Sequence, residues 1–560
     1  MILAELLLLP PVLAACLLGP GLFFVRRLRW NPADTLLASV VASLMFLYLL
    51  TLSFFWVDAT KFCWVIAILF GILTWLSWRD LRKLLRNRHA RRIAGATGII
   101  WLGTVLLLAM IRHYSGGGWS GDWLEHFQRS TFFLAPDLNY RFLGQYMLTE
   151  RPPMMNLICS QYLALFSADF QVYQLTAALL NALPILPCCL FACSISRNRR
   201  SAIAWLILLM ACSPMFMQNI TYVWTKSFAA FFALSGLWFY LRGWKKRDPI
   251  RLVFAFLTLA AGCLVHYYIV PWAALIFGHY LFFVFRPARF KELAAICLAC
   301  ALLWTTWFGW AIDHYGLHGT FASNLTVTNR LASATGPLPV KISEDVADTV
   351  VPFFLRKVPY DDFQQDDRLG FVRDLAFSLY QTNAIFAFGS LGATCLIIAT
   401  LKRIIPITPF WLIFLPLSAL LTIATVPQVQ VWGSAHLSLQ PHVQLGLAML
   451  AGAASRLGRP FKAAILSGCA IDFLMGILLQ VHLENRVFQI VNLANGNPTI
   501  PPSPVRLSQA AQFNFFIKQF YALKFVGDNF ADFAPMIQGI LCVMVLWLML
   551  RAWKASRLAA

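Results

Sequence analysis

Long apolar runs recur along the whole chain, and they constrain its fold more than any other feature. Runs such as 93–112, 171–195 and 536–552 are long enough, or nearly so, to cross a bilayer core about 30 Å thick. Hydrophobic residues make up 59% of the 560 residues, and the runs are continuous. Strands of a membrane β-barrel alternate between polar and apolar residues instead. The sequence therefore predicts an all-α polytopic membrane protein.

The basic residues are concentrated on one side of the predicted helices. The net charge is +21, and 29 of the 45 Lys and Arg residues lie in short clusters between apolar runs. The clusters are 26–29, 79–92, 197–200, 242–251, 286–291, 402–403, 456–462 and 551–557. Short loops rich in Lys and Arg face the cytoplasm, so the charge indicates membrane orientation and not nucleic-acid binding. No basic residue precedes the first run, 2–25, and we expect no cleavable signal peptide.

Placing these clusters in the cytoplasm predicts about 13 to 15 transmembrane helices, with the N-terminus outside and the C-terminus inside. Their spans are 3–25, 33–56, 60–78, 93–112, 171–195, 201–218, 222–241, 251–268, 270–286, 292–312, 379–401, 408–426, 438–455, 462–482 and 535–552. Three long external loops result, at 113–170, 313–378 and 483–534. The expected divisions are helices 1–92, a core 93–312 that includes the first loop, the external loop 313–378, and C-terminal helices 379–560.

The first external loop opens with a cluster of polar side chains directly after an apolar run. In SGGGWSGDWLEHFQRS, residues 115–130, Asp122, Glu125, His126 and Arg129 follow a run of glycines. If a helix begins at Asp122, then Asp122, Glu125 and His126 lie within one turn as acid/base or metal-binding groups. An ordinary solvated loop is the alternative. Under the first hypothesis, Asp122 acts as a base towards a hydroxyl at the membrane surface.

A second motif in this loop is RPPMMNLI, residues 151–158. Two prolines suit a helix start, and the apolar stretch that follows them is too short to span a bilayer. We expect a helix lying in the outer interface, followed by the spanning helix 171–195.

Together these motifs resemble the GT-C glycosyltransferases, in particular the branch of protein O-mannosyltransferases and lipid A aminoarabinose transferases. The matching stretches are GDWLEHF at 121–127, RPPMMNLI at 151–158, QVYQLTAALLNALPILPCCLF at 171–191 and the helix pair 199–242. The resemblance covers roughly residues 93–290 well and 408–455 loosely. That branch often has adjacent Asp and Glu, whereas here Trp123 and Leu124 separate Asp122 from Glu125. The three helices before residue 93 are additional to the family plan.

The resemblance implies an inverting glycosyltransferase that takes a sugar from a polyprenyl-phosphate donor at the outer, periplasmic face of a bacterial inner membrane. Asp122 deprotonates an acceptor hydroxyl on a lipid, glycan or protein, and Glu125 is a second catalytic candidate whose role is open. External basic residues stabilise the departing phosphate. We expect no cofactor. A divalent metal at Asp122, Glu125 and His126 is possible chemically, but a single short cluster is weak evidence for it.

Several external residues are candidates for binding the donor or its phosphate. The candidates are His126, Arg129, Arg151, Lys226 in TYVWTKSF, His266 and Tyr267 in LVHYYIVPW, and His436 and His442 in SAHLSLQPHVQL. Each of these candidates also has a purely structural explanation. Lysines near helix ends snorkel, and aromatic residues populate the membrane interface. Related enzymes often carry an arginine near the position of His436 and His442, which is missing here.

Two other classes compete with a transferase. A transporter or flippase of lipid-linked saccharides concentrates ionisable residues near the bilayer midplane, and here Asp472 is the main exception to an apolar interior. A polysaccharide polymerase or ligase is expected to use paired external arginines. The early loop carboxylate favours the transferase.

Overall fold

The computed structural model describes residues 2–114, 122–143, 146–322, 337, 339–340, 342–343, 368–381, 396–405, 408–425, 439–486 and 523–557. Within these ranges, the side chains of Asp122, residues 377–381, Arg486 and Arg557 are not described. The regular structure in these ranges is helical, apart from one antiparallel bridge between Phe142 and Tyr146. The prediction of an all-α chain is confirmed.

Seven helices in the described ranges are long and apolar enough to cross a membrane, or nine if each of two bent pairs counts as one span. The seven are Ile2–Leu28, Pro32–Trp56, Arg88–Leu108, Phe170–Ile195, Pro287–Ala322, Arg459–Leu483 and Ala531–Ser556. The bent pairs are Thr60–Leu76 with Trp78–Arg86 and Arg199–Cys212 with Pro214–Thr221. The shorter apolar helices are Met154–Leu165, Pro249–Val265, Ile269–Val284 and Pro409–Thr425. The chain is therefore an integral membrane protein. The predicted number of 13 to 15 spans stays a prediction, since residues 382–395 of the predicted span 379–401 lie outside the described residues.

The longer α-helices are numbered here in chain order. The first ten are α1 Ile2–Val25, α2 Pro32–Trp56, α3 Trp64–Leu76, α4 Trp78–Arg86, α5 Arg88–Leu108, α6 Asp122–Phe132, α7 Met154–Leu165, α8 Phe170–Asn181, α9 Ile185–Ile195 and α10 Arg199–Cys212. The next ten are α11 Pro214–Thr221, α12 Lys226–Lys246, α13 Pro249–Val265, α14 Ile269–His279, α15 Phe290–Leu317, α16 Arg368–Gln381, α17 Pro409–Thr425, α18 Gln440–Ala453, α19 Arg459–Ile477 and α20 Ala534–Arg557.

Four helices that begin in basic clusters have polar N-caps. The Asn31, Asn87 and Asn198 side chains accept hydrogen bonds from the first backbone N–H groups of α2, α5 and α10. Asp248 does the same for α13. Such caps satisfy backbone donors that a helix start leaves unpaired. These caps therefore define where α2, α5, α10 and α13 begin.

The predicted helix 171–195 is confirmed as the candidate span Phe170–Ile195, which contains a local break. Helix α8 ends at Asn181 and α9 begins at Ile185, with Pro184 between them. Proline lacks a backbone N–H, so the hydrogen-bond ladder breaks there. The bend of 64° between α10 and α11 likewise falls at Pro214, the first residue of α11.

Helix α7 begins at Met154, directly after the Pro-Pro pair, as predicted. Every residue from Met154 to Leu163 is buried in the protein. Helices α2, α6, α8 and α13 pack around it. It is thus surrounded by protein, and its position at the outer membrane interface stays a prediction.

The additional N-terminal helices pack directly on the core. At the basic end of α2, the buried Asp34 accepts a hydrogen bond of 2.8 Å from Trp238 Nε1 of α12. The other carboxylate oxygen of Asp34 lies 3.4 Å from a guanidinium nitrogen of Arg251 of α13. At its other end, α2 reaches α7. Residues 1–92 therefore support the elements that carry the candidate site.

Candidate active site

Helix α6 holds the polar cluster of the first external loop. It begins at Asp122, where the hypothesis places a helix start, and it carries Glu125, His126 and Arg129. The side chain of Asp122 and the whole of His436 lie outside the described residues. The helix start is thus located, while the role of the Asp122 carboxylate remains a proposal.

Glu125 lies at the centre of this cluster between two arginines. Its Oε1 accepts a hydrogen bond of 2.8 Å from Arg129 Nε, one helical turn away. Arg151, which precedes the Pro-Pro pair, donates to both Glu125 oxygens, at 3.3 Å each. Glu125 and Arg129 have no exposed side-chain surface, whereas Arg151 keeps 15%. The carboxylate therefore joins α6 to the start of α7.

Arg129 also holds the backbone ahead of α7. Its two terminal nitrogens donate to the carbonyl groups of Leu148 and Met147, at 2.7 and 2.8 Å. Its guanidinium lies 4.3 Å from the centre of the Phe142 ring. Each nitrogen of the Arg129 guanidinium thus donates to another group of the protein. Arg129 therefore suits the role of a positioning residue better than that of a ligand of a lipid phosphate.

The electrostatics fix the protonation states of this cluster. Burial alone raises the pKa of the Glu125 carboxyl, but Arg151, Arg129 and His126 together lower it below its usual value. Burial is the main cause that lowers the pKa of the His126 imidazole to about 3; the Glu125 charge raises this pKa, and Arg151 and Arg129 lower it. At neutral pH, Glu125 is ionised and His126 is neutral.

The turn between α13 and α14 lies against the backbone that precedes α7. His266 and Tyr267 lie in this turn, as predicted, and Tyr267 donates a hydrogen bond of 3.2 Å to the Thr149 carbonyl beside Arg151. Burial lowers the pKa of His266 well below its usual value, and Lys226, Arg151 and His126 lower it further. His266 is thus close enough to Lys226, Arg151 and His126 for their charges to act on it.

Lys226 begins α12 at this site. Its ammonium lies 5.1 Å from the centre of the Trp224 ring, and its carbonyl accepts a hydrogen bond of 2.6 Å from the Tyr268 hydroxyl. The Lys226 side chain is half-buried. Lys226 and Arg151 are thus two cations that combine a fixed position with partial exposure. Such an arrangement can hold a phosphate by charge-assisted hydrogen bonds.

Of the predicted residues, Glu125, His126, Arg129, Arg151, Lys226, His266 and Tyr267 converge in this way. His442 has other surroundings. Its Nε2 lies 2.8 Å from Ser418 Oγ of α17, and its ring packs edge-on against Trp272. These contacts assign His442 to the packing of α14, α17 and α18.

A polar network beside the site was not foreseen from the sequence. The Tyr222 hydroxyl donates to Glu484 at 2.6 Å, and Tyr114, which stacks on Tyr222, donates to the Thr221 carbonyl. Gln174 donates to the Tyr114 hydroxyl at 2.7 Å and accepts from the backbone N–H of Val526. The partners in this network are far apart in sequence. The only sign of the network in the sequence is the presence of polar residues within apolar runs.

The short 3-10 helix Val526–Asn529, near the end of the last external loop, closes this region. Phe525 before it packs against Tyr114, Trp123 and Phe170. Trp123 belongs to α6, so the chain near residue 525 covers one side of the helix that carries the candidate site.

Among the described side chains, no three His, Cys, Asp or Glu residues lie close enough together to hold a metal ion. Glu125, the central carboxylate, already has two arginine partners.

No protein-family model matches the sequence, and no curated protein matches it. The chain is similar to the crystal structure of ArnT from Cupriavidus metallidurans bound to undecaprenyl phosphate, with a TM-score of 0.46, 14% identity and coverage of 84% of this chain and 75% of that one. It is also similar to the apo state of the same protein, with a TM-score of 0.45, 14% identity and coverage of 83% and 76%. ArnT is a lipid A aminoarabinose transferase with the GT-C fold.

Proposed function

We propose that this chain is an inverting membrane glycosyltransferase that transfers a sugar from a polyprenyl-phosphate donor to an acceptor hydroxyl at the outer face of the membrane. One observation carries the proposal. Arg151 and Lys226 are partly exposed, Arg151 is bound to Glu125 of α6 and Lys226 lies beside Trp224, and both are close enough to His266 for their charges to lower its pKa. Cations fixed at a membrane boundary are suited to a phosphate whose lipid chain stays in the bilayer.

The proposed reaction is a single displacement at the anomeric carbon of the donor sugar. The acceptor oxygen attacks the anomeric carbon while its proton moves to the Asp122 carboxylate. The bond between the anomeric carbon and the phosphate oxygen breaks, and its electron pair leaves with the polyprenyl phosphate. Arg151 and Lys226 stabilise the negative charge that accumulates on that phosphate. Attack opposite the leaving group inverts the anomeric configuration.

The other residues of the cluster position these groups. Glu125 aligns Arg151 through two hydrogen bonds, and Arg129 holds Glu125. His126 is neutral at physiological pH because it is buried beside two arginines, so it adds no charge that repels a cationic neighbour. The proposed division is therefore Asp122 as base, Arg151 and Lys226 as phosphate ligands, and Glu125 with Arg129 as positioning residues.

Donor binding tests the proposal with a matched pair of variants on one helix. Lys226 and Lys246 are the first and last residues of α12, so they lie at opposite membrane faces. Binding of undecaprenyl phosphate to purified protein is measured for both alanine variants. A hydrogen bond to a charged group contributes about 1.5–3 kcal/mol, so Lys226→Ala should weaken binding about 10- to 100-fold. Lys246→Ala should bind as the wild type does. Equal affinity in all three proteins contradicts the phosphate site.

A second measurement separates transfer from transport. A synthetic polyprenyl-phosphate sugar is incorporated into vesicles with the protein, and both release of the sugar from phosphate and movement of the lipid between leaflets are followed. A transferase cleaves the sugar–phosphate bond when an acceptor is present. Leaflet exchange of intact donor, without cleavage under any acceptor tested, supports the transporter alternative and contradicts the proposal.

A further inference from the structure

A cleft at the opposite, basic face of the membrane has the features of a second lipid site. It lies between the start of α5, the start of α10 and the end of α20, and its volume is about 380 Å³. Four cations line it: Arg92, Arg200, Arg551 and Lys554. No acidic residue is among its lining residues, and no ion pair in the described part of the chain uses any of the four.

The lining changes from cationic to apolar with depth. Ile99 and Ile207 line the same cleft, each seven residues along its helix from Arg92 or Arg200. A rise of 1.5 Å per residue places them about 10 Å deeper. The ligand that fits is therefore an amphiphile, with an anionic group at the opening and an apolar chain against the helices.

Two contacts fix parts of the cleft: one joins two of its helices and the other holds one of its cations. Buried Trp205 of α10 donates a hydrogen bond of 2.7 Å to Ser556 of α20, which fixes these two helices to each other. The Arg551 guanidinium lies 4.6 Å from the centre of the exposed Trp547 ring, one turn away on α20. Tryptophan and arginine at such positions characterise the depth of lipid headgroups.

Small residues on α5 leave room for the chain of the ligand. Gly95 lines the cleft, and a Cβ atom built on it meets no other atom within 4 Å. The space above α5 at this point is therefore open. Gly98, one turn further along, is equally unobstructed and is not part of the cleft lining.

From this geometry we infer that the cleft binds an anionic phospholipid of the adjacent leaflet, with a phosphodiester headgroup of the phosphatidylglycerol or cardiolipin type. Basic pockets between transmembrane helices on the cytoplasmic side bind such headgroups. The polyprenyl-phosphate site proposed above lies at the other membrane face, and this inference does not depend on it.

The test uses the full-length protein in detergent and measures lipid binding by native mass spectrometry and thermal shift. Dioleoyl phosphatidylglycerol is compared with dioleoyl phosphatidylcholine, which has the same chains and no net charge. The wild type should bind the first and not the second. Equal binding of both lipids contradicts the assignment, because only an apolar groove is then involved.

Two triple variants with the same change of charge test the location. R200Q/R551Q/K554Q removes three cations of the cleft, and R82Q/K83Q/R86Q removes two arginines and one lysine from the exposed face of α4. Each Lys or Arg near an anionic lipid contributes about fivefold to affinity, so the first triple should lose about a hundredfold and the second should bind as the wild type does. An equal loss in both triples contradicts a defined site.

A charge-neutral variant keeps the inference testable if the first triple fails to fold. Gly95→Leu fills the cleft, whereas Gly98→Leu makes the same change outside it. Only Gly95→Leu should lower phosphatidylglycerol binding, by at least tenfold. Retention of wild-type binding in Gly95→Leu, or displacement of phosphatidylglycerol from this cleft by undecaprenyl phosphate at lower concentration, overturns the assignment.

Discussion

Glu125 and Arg129 stand one turn apart on α6 and pair at 2.8 Å, with no exposed surface on either side chain. Removing one member of a buried ion pair is costly because the remaining charge is left without compensation. Arg151 adds a second cation to the same carboxylate. The three side chains therefore form a structural unit that joins α6 to α7 and holds the candidate phosphate ligand Arg151.

Glu125→Gln should destabilise the fold because it leaves two arginines beside a neutral amide. A loss of about 3–5 kcal/mol is typical for breaking a buried pair. The free energy of unfolding in detergent gives the measurement. Asp80→Asn is the matched control, since Asp80 pairs with Arg26 at 3.2 Å with both side chains partly exposed. That pair should contribute less than about 1 kcal/mol. Similar losses in the two variants contradict the structural role of Glu125.

The buried His126 should make stability depend on pH. Its pKa is lowered from 6.5 to about 3 in the folded protein, so the unfolded chain binds more protons at intermediate pH. The contribution of the neutral His126 to the free energy of unfolding is fully present above pH 6.5, and it is lost as the pH falls from there towards 3. The loss at pH 5 is about 2 kcal/mol from this side chain. Lowered pKa values of His266 and Glu125 act in the same direction.

Melting temperatures of the wild type and His126→Asn, measured between pH 5 and 8, check this dependence. Below pH 6.5, the melting temperature of the variant should decrease less than that of the wild type. An identical pH profile in both proteins means that His126 is protonated equally in the folded and unfolded states, which contradicts its burial as a neutral ring.

Gly527 should tolerate no side chain. A Cβ atom there lies 2.3 Å from the carbonyl oxygen of Ile111, a backbone atom that cannot rotate away. Gly527→Ala should detach the segment 525–529 from Tyr114 and Trp123, and limited proteolysis after residue 522 should become faster. Gly539→Ala on α20 is the control, since no atom lies within 4 Å of its Cβ position. Alanine in a helix is more stable than glycine by about 0.5–1 kcal/mol. Equal proteolysis of both variants contradicts the docking of this segment.

The local part of the site could be predicted from the sequence. A spacing of three and four residues brings Glu125, His126 and Arg129 to one helical turn, and two prolines precede the start of α7. Contacts between residues far apart in the chain could not be predicted from such spacing. Arg129 binds the Leu148 and Met147 carbonyls, and Tyr222 binds Glu484, because packing brings together backbone and side chains from separate loops.

The same distinction applies to the fold. Hydrophobicity located the helices, but it cannot distinguish a helix surrounded by lipid from one surrounded by protein. The burial of α7 by protein is therefore known only from the structure. The apolar run 171–195 predicted one span, and Phe170–Ile195 is such a span, with a local break at Pro184 that hydrophobicity does not indicate.

Asp122→Asn should abolish sugar transfer while the protein stays folded and binds the donor. The substitution keeps the size of the side chain and most of its hydrogen bonds, and it removes the basic carboxylate. General base catalysis contributes about 10²–10⁴-fold, so the rate of transfer should fall by at least that order. The start of α6 at Asp122 places this residue within one turn of Glu125, whose arginine partners include the proposed phosphate ligand Arg151. Turnover of a polyprenyl-phosphate sugar, with undecaprenyl phosphate affinity measured on the same preparation, separates chemistry from binding. Lys226→Ala should show the opposite pattern, with weaker binding and a smaller loss of rate at saturating donor. An Asp122→Asn protein that transfers sugar at nearly the wild-type rate would remove Asp122 from the mechanism and leave the acceptor without its base.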